Sequence, residues 1–257
     1  MKTSLRLVAA LVAALVTTVA HAEIKARGSD STLHVLKALA AAFEADTGKK
    51  IALEGGGSGA GAKGAIAGEV TLAFLSRDLN AAETTAGLVG AAYAKDGVAI
   101  IVHKDNAVAG VTVAELKDIF TGKTAAWSNG GDVVAFNRNT DSGTREVFQE
   151  HVLGKDAFSP KAAVKHDGII VSSVQKIPTA VAYTSVGEAD ETKVRIVPVA
   201  GVKPTAATLK DGTYPIARTP TLATKGAAAG DEKAFIEFVL SAKGQEIVAK
   251  NGLVAVK

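Results

Sequence analysis

The sequence predicts an α/β fold of two lobes, the second inserted into the first, with a hinge of crossing strands and a ligand cleft between them. Three observations predict it. Strand-like and helix-like segments alternate along the chain, an order that favours parallel sheets with short connecting turns. Three Ser/Gly turns, Ser31-Thr32, Ser58-Gly59-Ala60-Gly61 and Ser142-Gly143-Thr144, stand before helical segments. A C-terminal amphipathic segment, 231–248, has the spacing of a helix that returns to the N-terminal block.

The elements follow in order. Residues 24–27 read as a short strand, and Leu33, Leu36, Leu39, Ala40 and Phe43 then recur at helical spacing. A second strand at 50–53 leads through a glycine-rich turn to a short helix near 62–67, and 70–75 is a third strand ending in Ser76-Arg77. The apolar run 97–102 opens the middle of the chain. Thr112 with Glu115 three residues on is a capping box, and the helix it starts would bury Leu116, Ile119 and Phe120. Further apolar segments lie at 133–136, 169–171, 180–183 and 194–199, and 214–216 and 221–224 look extended. The expected division is 23–98 with 205–257 for the first lobe and 99–204 for the second. The crossing strands would lie near 98–103 and 200–218.

The N-terminus reads as a secretory signal over residues 1–22. Lys2 and Arg6 make a basic start, 7–20 is apolar or Thr, and Ala20-His21-Ala22 is an A-x-A cleavage site. The apolar run is short for a membrane span. The mature chain would then begin at Glu23, with 235 residues, and removal of Lys2 and Arg6 lowers the formal charge from +3 to +1. That near-neutral balance, without a basic field, argues against nucleic acid. The chain has no cysteine, which excludes disulfides, thiolate catalysis, thiolate metal sites and a lipidated N-terminal cysteine. An exported chain of this kind is expected free in the periplasm and monomeric.

The chemistry concentrates at 138–145, R-N-T-D-S-G-T-R, between an extended segment and an amphipathic one. A helix start offers free N–H groups and about half a positive charge. Arg138 adds a planar fork of donors suited to a tetrahedral oxyanion. The plain alternative is a salt bridge from Arg138 to Asp141 or Glu146. Any one Ser/Gly turn is more often an ordinary helix cap; three in one α/β chain could converge where strand ends meet a cleft. Arg77 ends a strand and could serve the same anion or simply pair with Asp78. Arg145, inside the helix start, reads as structural.

Other chemistries find little support. Residues 59–64 match G-x-G-x-x-G, but a lone match is weak, and Lys63 lacks the neighbours of a P-loop. Ser58 fails the nucleophile-elbow pattern because Ala60 stands where Gly is needed. His34, His103, His151 and His166 are widely spaced, so neither a metal nor a cofactor is expected. Trp127 reads as packing.

Taken together, G-S-D-S-T (28–32), G-G-G-S-G-A-G-A-K (55–63), L-S-R-D-L (75–79), D-G-V-A-I-I-V (96–102), L-K-D-I-F-T-G-K (116–123), R-N-T-D-S-G-T-R (138–145), D-G-T-Y-P-I-A-R (211–218) and F-V-L-S-A-K-G-Q (238–245) resemble the PstS-like phosphate-binding branch of periplasmic solute-binding proteins. The resemblance runs from about Arg27 to the C-terminus. It implies a non-enzymatic receptor that closes on phosphate and delivers it to an ABC permease. It further implies ligand roles for Ser31, Thr32, Ser58, Ser76, Arg77, Arg138, Ser142, Gly143 and Thr144. One departure stands out. The family pattern has Ser-Asp where this chain has Ser76-Arg77, and that Asp accepts a hydrogen bond from protonated phosphate. Asp30 or Asp141 could substitute, or discrimination against sulfate could be weaker. Alternatives are a receptor for sulfate, arsenate or tungstate, or a phosphate-responsive signalling or secretion-associated protein on the same fold. A phosphate-ester hydrolase is a poorer fit, because the chain shows no nucleophile–base pair.

Overall fold

The computed structural model describes residues 23–128 and 130–256. The expected signal peptide lies outside the described residues. Strand β1 (Ile24–Gly28) passes through a tight turn into helix α1 (Leu33–Thr47), then β2 (Ile51–Glu54), α2 (Ser58–Ala67) and β3 (Leu72–Leu75). Both β2 and β3 pair with β1 in parallel, as the βαβαβ order requires. Helix α3 (Ala81–Thr85) and edge strand β4 (Leu88–Ala92) complete this stretch.

The chain then crosses into a second sheet along β5 (Ala94–His103). There follow α4 (Val113–Thr121), β6 (Val134–Arg138), α5 (Gly143–Phe148), β7 (Ala163–Lys165), α6 (Asp167–Val174), β8 (Ala180–Ser185), β9 (Val194–Val197), α7 (Ala206–Lys210) and β10 (Ala217–Arg218), the strands joining the second sheet. Strand β11 (Thr221–Lys225) returns to the first sheet, followed by α8 (Gly230–Val239), α9 (Ala242–Lys250) and β12 (Val254–Ala255). The sheet orders are β2-β1-β3-β11-β4 and β10-β5-β8-β6-β7, with β9 and β12 also pairing β5.

The central strands β3, β5 and β8 are covered on both faces and are apolar on both sides. In β5, Val98, Ile100 and Val102 pack with Phe120 and Phe148, while Ala99 and Ile101 face Ile170 and Val174. In the first sheet, Ile24, Leu72 and Phe74 meet Phe43 and Phe235, and Ala73 and Leu75 meet Ala62 and Ala65. Trp127 is buried in the second lobe's core and donates its indole N–H to Thr179 O at 2.8 Å, a packing role.

The capping box forms as spaced: Glu115 N donates to Thr112 Oγ1 at 3.1 Å, and Thr112 N donates to Glu115 Oε2 at 2.7 Å. Thr112→Ala is expected to lower stability by about 1 kcal/mol, read from the urea midpoint.

The apolar segment 169–171 lies within α6; a short apolar run does not by itself separate helix from strand. Three expectations change. Residues 214–216 form a turn. The segment 231–248 is two helices, because Ser241 caps α9 by accepting Gly244 N–H at 3.2 Å. The lobes also exchange at different points. Tyr93 and Ala94 sit in the first core, while Leu209, Tyr214 and Ile216 sit in the second. The crossings therefore fall near 93–97 and 218–221, and 205–218 packs with the second lobe. The polar crossing residues Asp96 and Arg218 pair there in register, and their charge hid this part of both strands from an apolar pattern.

The C-terminus straps the first crossing. Val254 and Ala255 pair with Lys95 and Ala94. The buried Gln245 amide donates to Tyr93 O at 3.0 Å and accepts Val256 N–H at 2.8 Å.

Candidate anion-binding site

The three Ser/Gly turns meet where the two sheets face each other. In the first lobe, β1 ends at Gly28, whose backbone lies so close to Phe74 that a Cβ would stand 1.8 Å from Phe74 O. The chain turns there through Ser29 and Asp30 to Ser31, with Ser29 and Ser31 hydroxyls 2.9 Å apart. Gly57 enters α2 at φ 102, a left-handed value that suits glycine, and places Ser58 as the first helical residue. Ser58 Oγ accepts Ser76 N–H at 3.0 Å and lies 3.3 Å from Ser76 Oγ. The G-x-G-x-x-G match falls inside α2 rather than in a strand-to-helix turn. Gly61 serves packing, since a Cβ there would lie 2.4 Å from Arg27 O.

The second lobe supplies the third turn. Ser142 caps α5 by accepting Arg145 N–H at 3.3 Å. Gly143 lies directly over the first lobe: a Cβ would stand 2.2 Å from Ser58 Oγ and 2.7 Å from Ser76 Oγ. Thr144 Oγ1 donates to Ser31 Oγ at 3.3 Å, so the first and third turns touch across the cleft. Gly143→Ala is expected to hold α5 away from these serines and weaken oxyanion binding by about 1–3 kcal/mol, measured by calorimetric titration.

Arg138 ends β6 beneath this turn and is 2% exposed. Its Nη1 pairs with Asp167 Oδ1, not with Asp141 or Glu146. Its Nε is buried without a protein partner. A buried donor left unpaired is costly, which makes this edge a candidate place for a ligand oxygen. Burial pulls the Arg138 guanidinium down to about 10, so it keeps its charge at neutral pH.

A second buried guanidinium went unassigned in the sequence. Arg218 donates Nε and Nη2 to Asp96 Oδ2 at 2.8 and 2.6 Å. Its Nη1 donates to Thr144 Oγ1 at 2.8 Å, and its Nη2 reaches Ser31 Oγ at 3.5 Å. The available signal was its place at the end of D-G-T-Y-P-I-A-R.

Ser31, Ser58, Ser76, Gly143 and Thr144 thus come together from both lobes, with Ser142 capping the helix behind them. The Thr32 hydroxyl neighbours the buried Tyr93 hydroxyl instead. Arg77 departs from its expected ligand role: it is committed to Glu83, at 2.8 Å through both Nη1 and Nη2, and to Glu146. The two carboxylates offered in its place are also engaged. Asp30 accepts Gly56 N–H at 2.9 Å, and Asp141 pairs with Lys63 at 2.9 Å. Arg145 lies over the Phe158 ring at 4.6 Å, a structural cation–π contact. Among the described residues no His/Asp/Glu cluster could hold a metal.

Comparison with known proteins agrees with this architecture. A model of the PBP superfamily domain matches residues 15–243. The chain is 32% identical over 235 residues to the phosphate-binding protein PstS of Bacillus subtilis (strain 168), covering 86% of this chain and 76% of that one. It is similar to a candidate phosphate ABC transporter substrate-binding protein of Clostridium perfringens solved with bound phosphate, at TM-score 0.87 and 36% identity over 92% of this chain and 100% of that one. An ABC-type phosphate transport receptor of Vibrio cholerae matches at TM-score 0.78 and 25% identity, covering 90% of this chain and 99% of that one.

Proposed function

This chain belongs to the PstS-like family of PBP-superfamily solute-binding proteins, and we propose that it captures inorganic phosphate between its lobes and delivers it to an ABC importer. The observation that carries the reading is the buried, unpartnered Nε of Arg138 on the strand whose following turn brings Gly143 and Thr144 against Ser58, Ser76 and Ser31 of the other lobe. Those groups replace the water around a tetrahedral anion. Because they come from different lobes, anion contacts made only in the shut form drive closure as a population shift. The relatives named for phosphate support the choice of anion. Members of this family are receptors without catalysis, and the Ser/Gly turns here bind rather than react. The signal-like N-terminus supports export to the periplasm with cleavage after Ala22, and an inner-membrane permease is the expected partner.

Each buried guanidinium carries its own carboxylate, Asp167 for Arg138 and Asp96 for Arg218. The pairs add little net positive charge, so the anion is held by directed donors. Nearby carboxylates disfavour an oxyanion that has no proton to share, such as sulfate at neutral pH. A second reading, another tetrahedral oxyanion, is favoured by Arg77 standing where the family pattern has its acceptor Asp. Competition calorimetry on phosphate-stripped protein decides between them. Phosphate should bind tightest among phosphate, arsenate, sulfate and tungstate; tighter binding of sulfate or tungstate overturns the phosphate reading.

A further inference from the structure

A buried ion cluster crosses between the lobes beside the hydroxyl turns, and the capture of the anion as described so far makes no use of it. Arg77 follows β3 in the first lobe. Glu83 grips both of its Nη atoms, Asp78 O accepts Nη1 at 2.9 Å, and Asn80 N–H donates to Glu83 Oε2 at 3.0 Å. The guanidinium is therefore oriented entirely by its own lobe. Its remaining edge, Nε, meets Glu146 Oε2 of the opposite lobe at 2.5 Å. Glu146 lies on α5, two residues after Thr144 and three after Gly143. Whatever fixes Glu146 also fixes the helix start that sits over Ser58 and Ser76.

We propose that Arg77 is a positioning residue for anion capture: a preformed Arg77–Glu83 pair on the first lobe receives Glu146 when the lobes shut and seats the start of α5 over the site. This rests on the oxyanion-receptor reading. The Arg77 and Glu83 side chains are each 8% exposed. Without the guanidinium, closure would press two carboxylates together in a poorly hydrated space, which like charges resist. Burial opposes the Arg77 charge, yet Glu83 and Glu146 hold it above its ordinary value. Glu146 is pushed up by burial, with Arg77 acting against that rise. Each charge is thus tolerated through its neighbour. A positioning role also accounts for why an arginine can stand at this strand end without facing the anion.

The test uses the mature chain, which has no native cysteine. Lys37→Cys on α1 and Lys155→Cys in the second lobe carry spin labels that report lobe closure. Phosphate, arsenate, sulfate and tungstate serve in turn as the closing anion, and dissociation rates are measured by stopped flow. Arg77→Ala is expected to speed dissociation by about tenfold or more and to broaden the closed distance. Adding Glu146→Ala should recover about threefold of that loss, because it removes the stranded like charge. Glu146→Lys, which alters only the partly exposed partner and leaves the first lobe intact, should also speed dissociation. The proposal is overturned if the double variant is no better than Arg77→Ala, or if Arg77→Ala and Glu146→Lys keep the parent's rate and closed distance. A parent that closes on another anion but not on phosphate removes the phosphate reading alone and still tests Arg77. A parent that closes on none removes both.

Discussion

Arg138→Ala is expected to weaken phosphate binding by about 2–5 kcal/mol, on the order of 30- to several-thousand-fold. The substitution removes a buried donor edge that has no protein acceptor, and it strands Asp167 as a buried, unpaired carboxylate. The second effect acts on the fold as well as on the ligand, so the two must be separated. Arg138→Ala/Asp167→Asn removes the stranded charge. It should regain stability in urea while leaving phosphate binding weak. Calorimetry on the single and double variants measures both, and near-normal affinity in either would take Arg138 out of the site. Because the Arg138 guanidinium titrates at about 10, its contribution should stay level through neutral pH. That contribution is present below the guanidinium's pKa and lost as pH rises through it.

Arg218→Ala should lower stability by about 3–5 kcal/mol, because removing one partner of a buried ion pair leaves the other uncompensated. Asp96 is 0% exposed and keeps only part of its hydrogen bonding, from Gly97 N–H at 2.7 Å and the Ser185 hydroxyl at 2.8 Å. The pair sits where both crossing strands change lobes, so its loss loosens the hinge and the cleft together. Urea unfolding should show a lowered midpoint for Arg218→Ala, with partial recovery in Arg218→Ala/Asp96→Asn. A midpoint unchanged from the parent would mean that water reaches Asp96 and that the crossing does not depend on the pair.

Much of the candidate site was legible because its chemistry is local. A Ser/Gly turn before a helix announces small hydroxyls and free N–H groups, and Arg138 stands within a few residues of one. The capping box at Thr112 and the parallel order of the first three strands rest on equally short-range rules. What was missed depends on residues far apart. Arg218 gains its meaning from Asp96, 122 positions away, and from Thr144, 74 positions away. Arg77 read as a ligand because the sequence shows a strand end near other anion turns. It does not show that Glu83 and Glu146 arrive first.

The C-terminal segment makes the same point about helices. Its apolar period runs on through Ser241, and only the turn formed there divides α8 from α9. Lobe boundaries also resisted reading, because the crossings carry buried charge rather than a break in hydrophobicity.

By itself, the sequence determined an α/β chain of two lobes with three anion-suited turns, since alternation, helix caps and small hydroxyls are written in neighbouring residues. The tertiary structure alone decided which carboxylate each buried guanidinium meets: Asp167 for Arg138, Asp96 for Arg218 and Glu83 for Arg77. Burial and pairing between lobes set that choice, and both arise only when distant segments are brought within a few ångströms of each other.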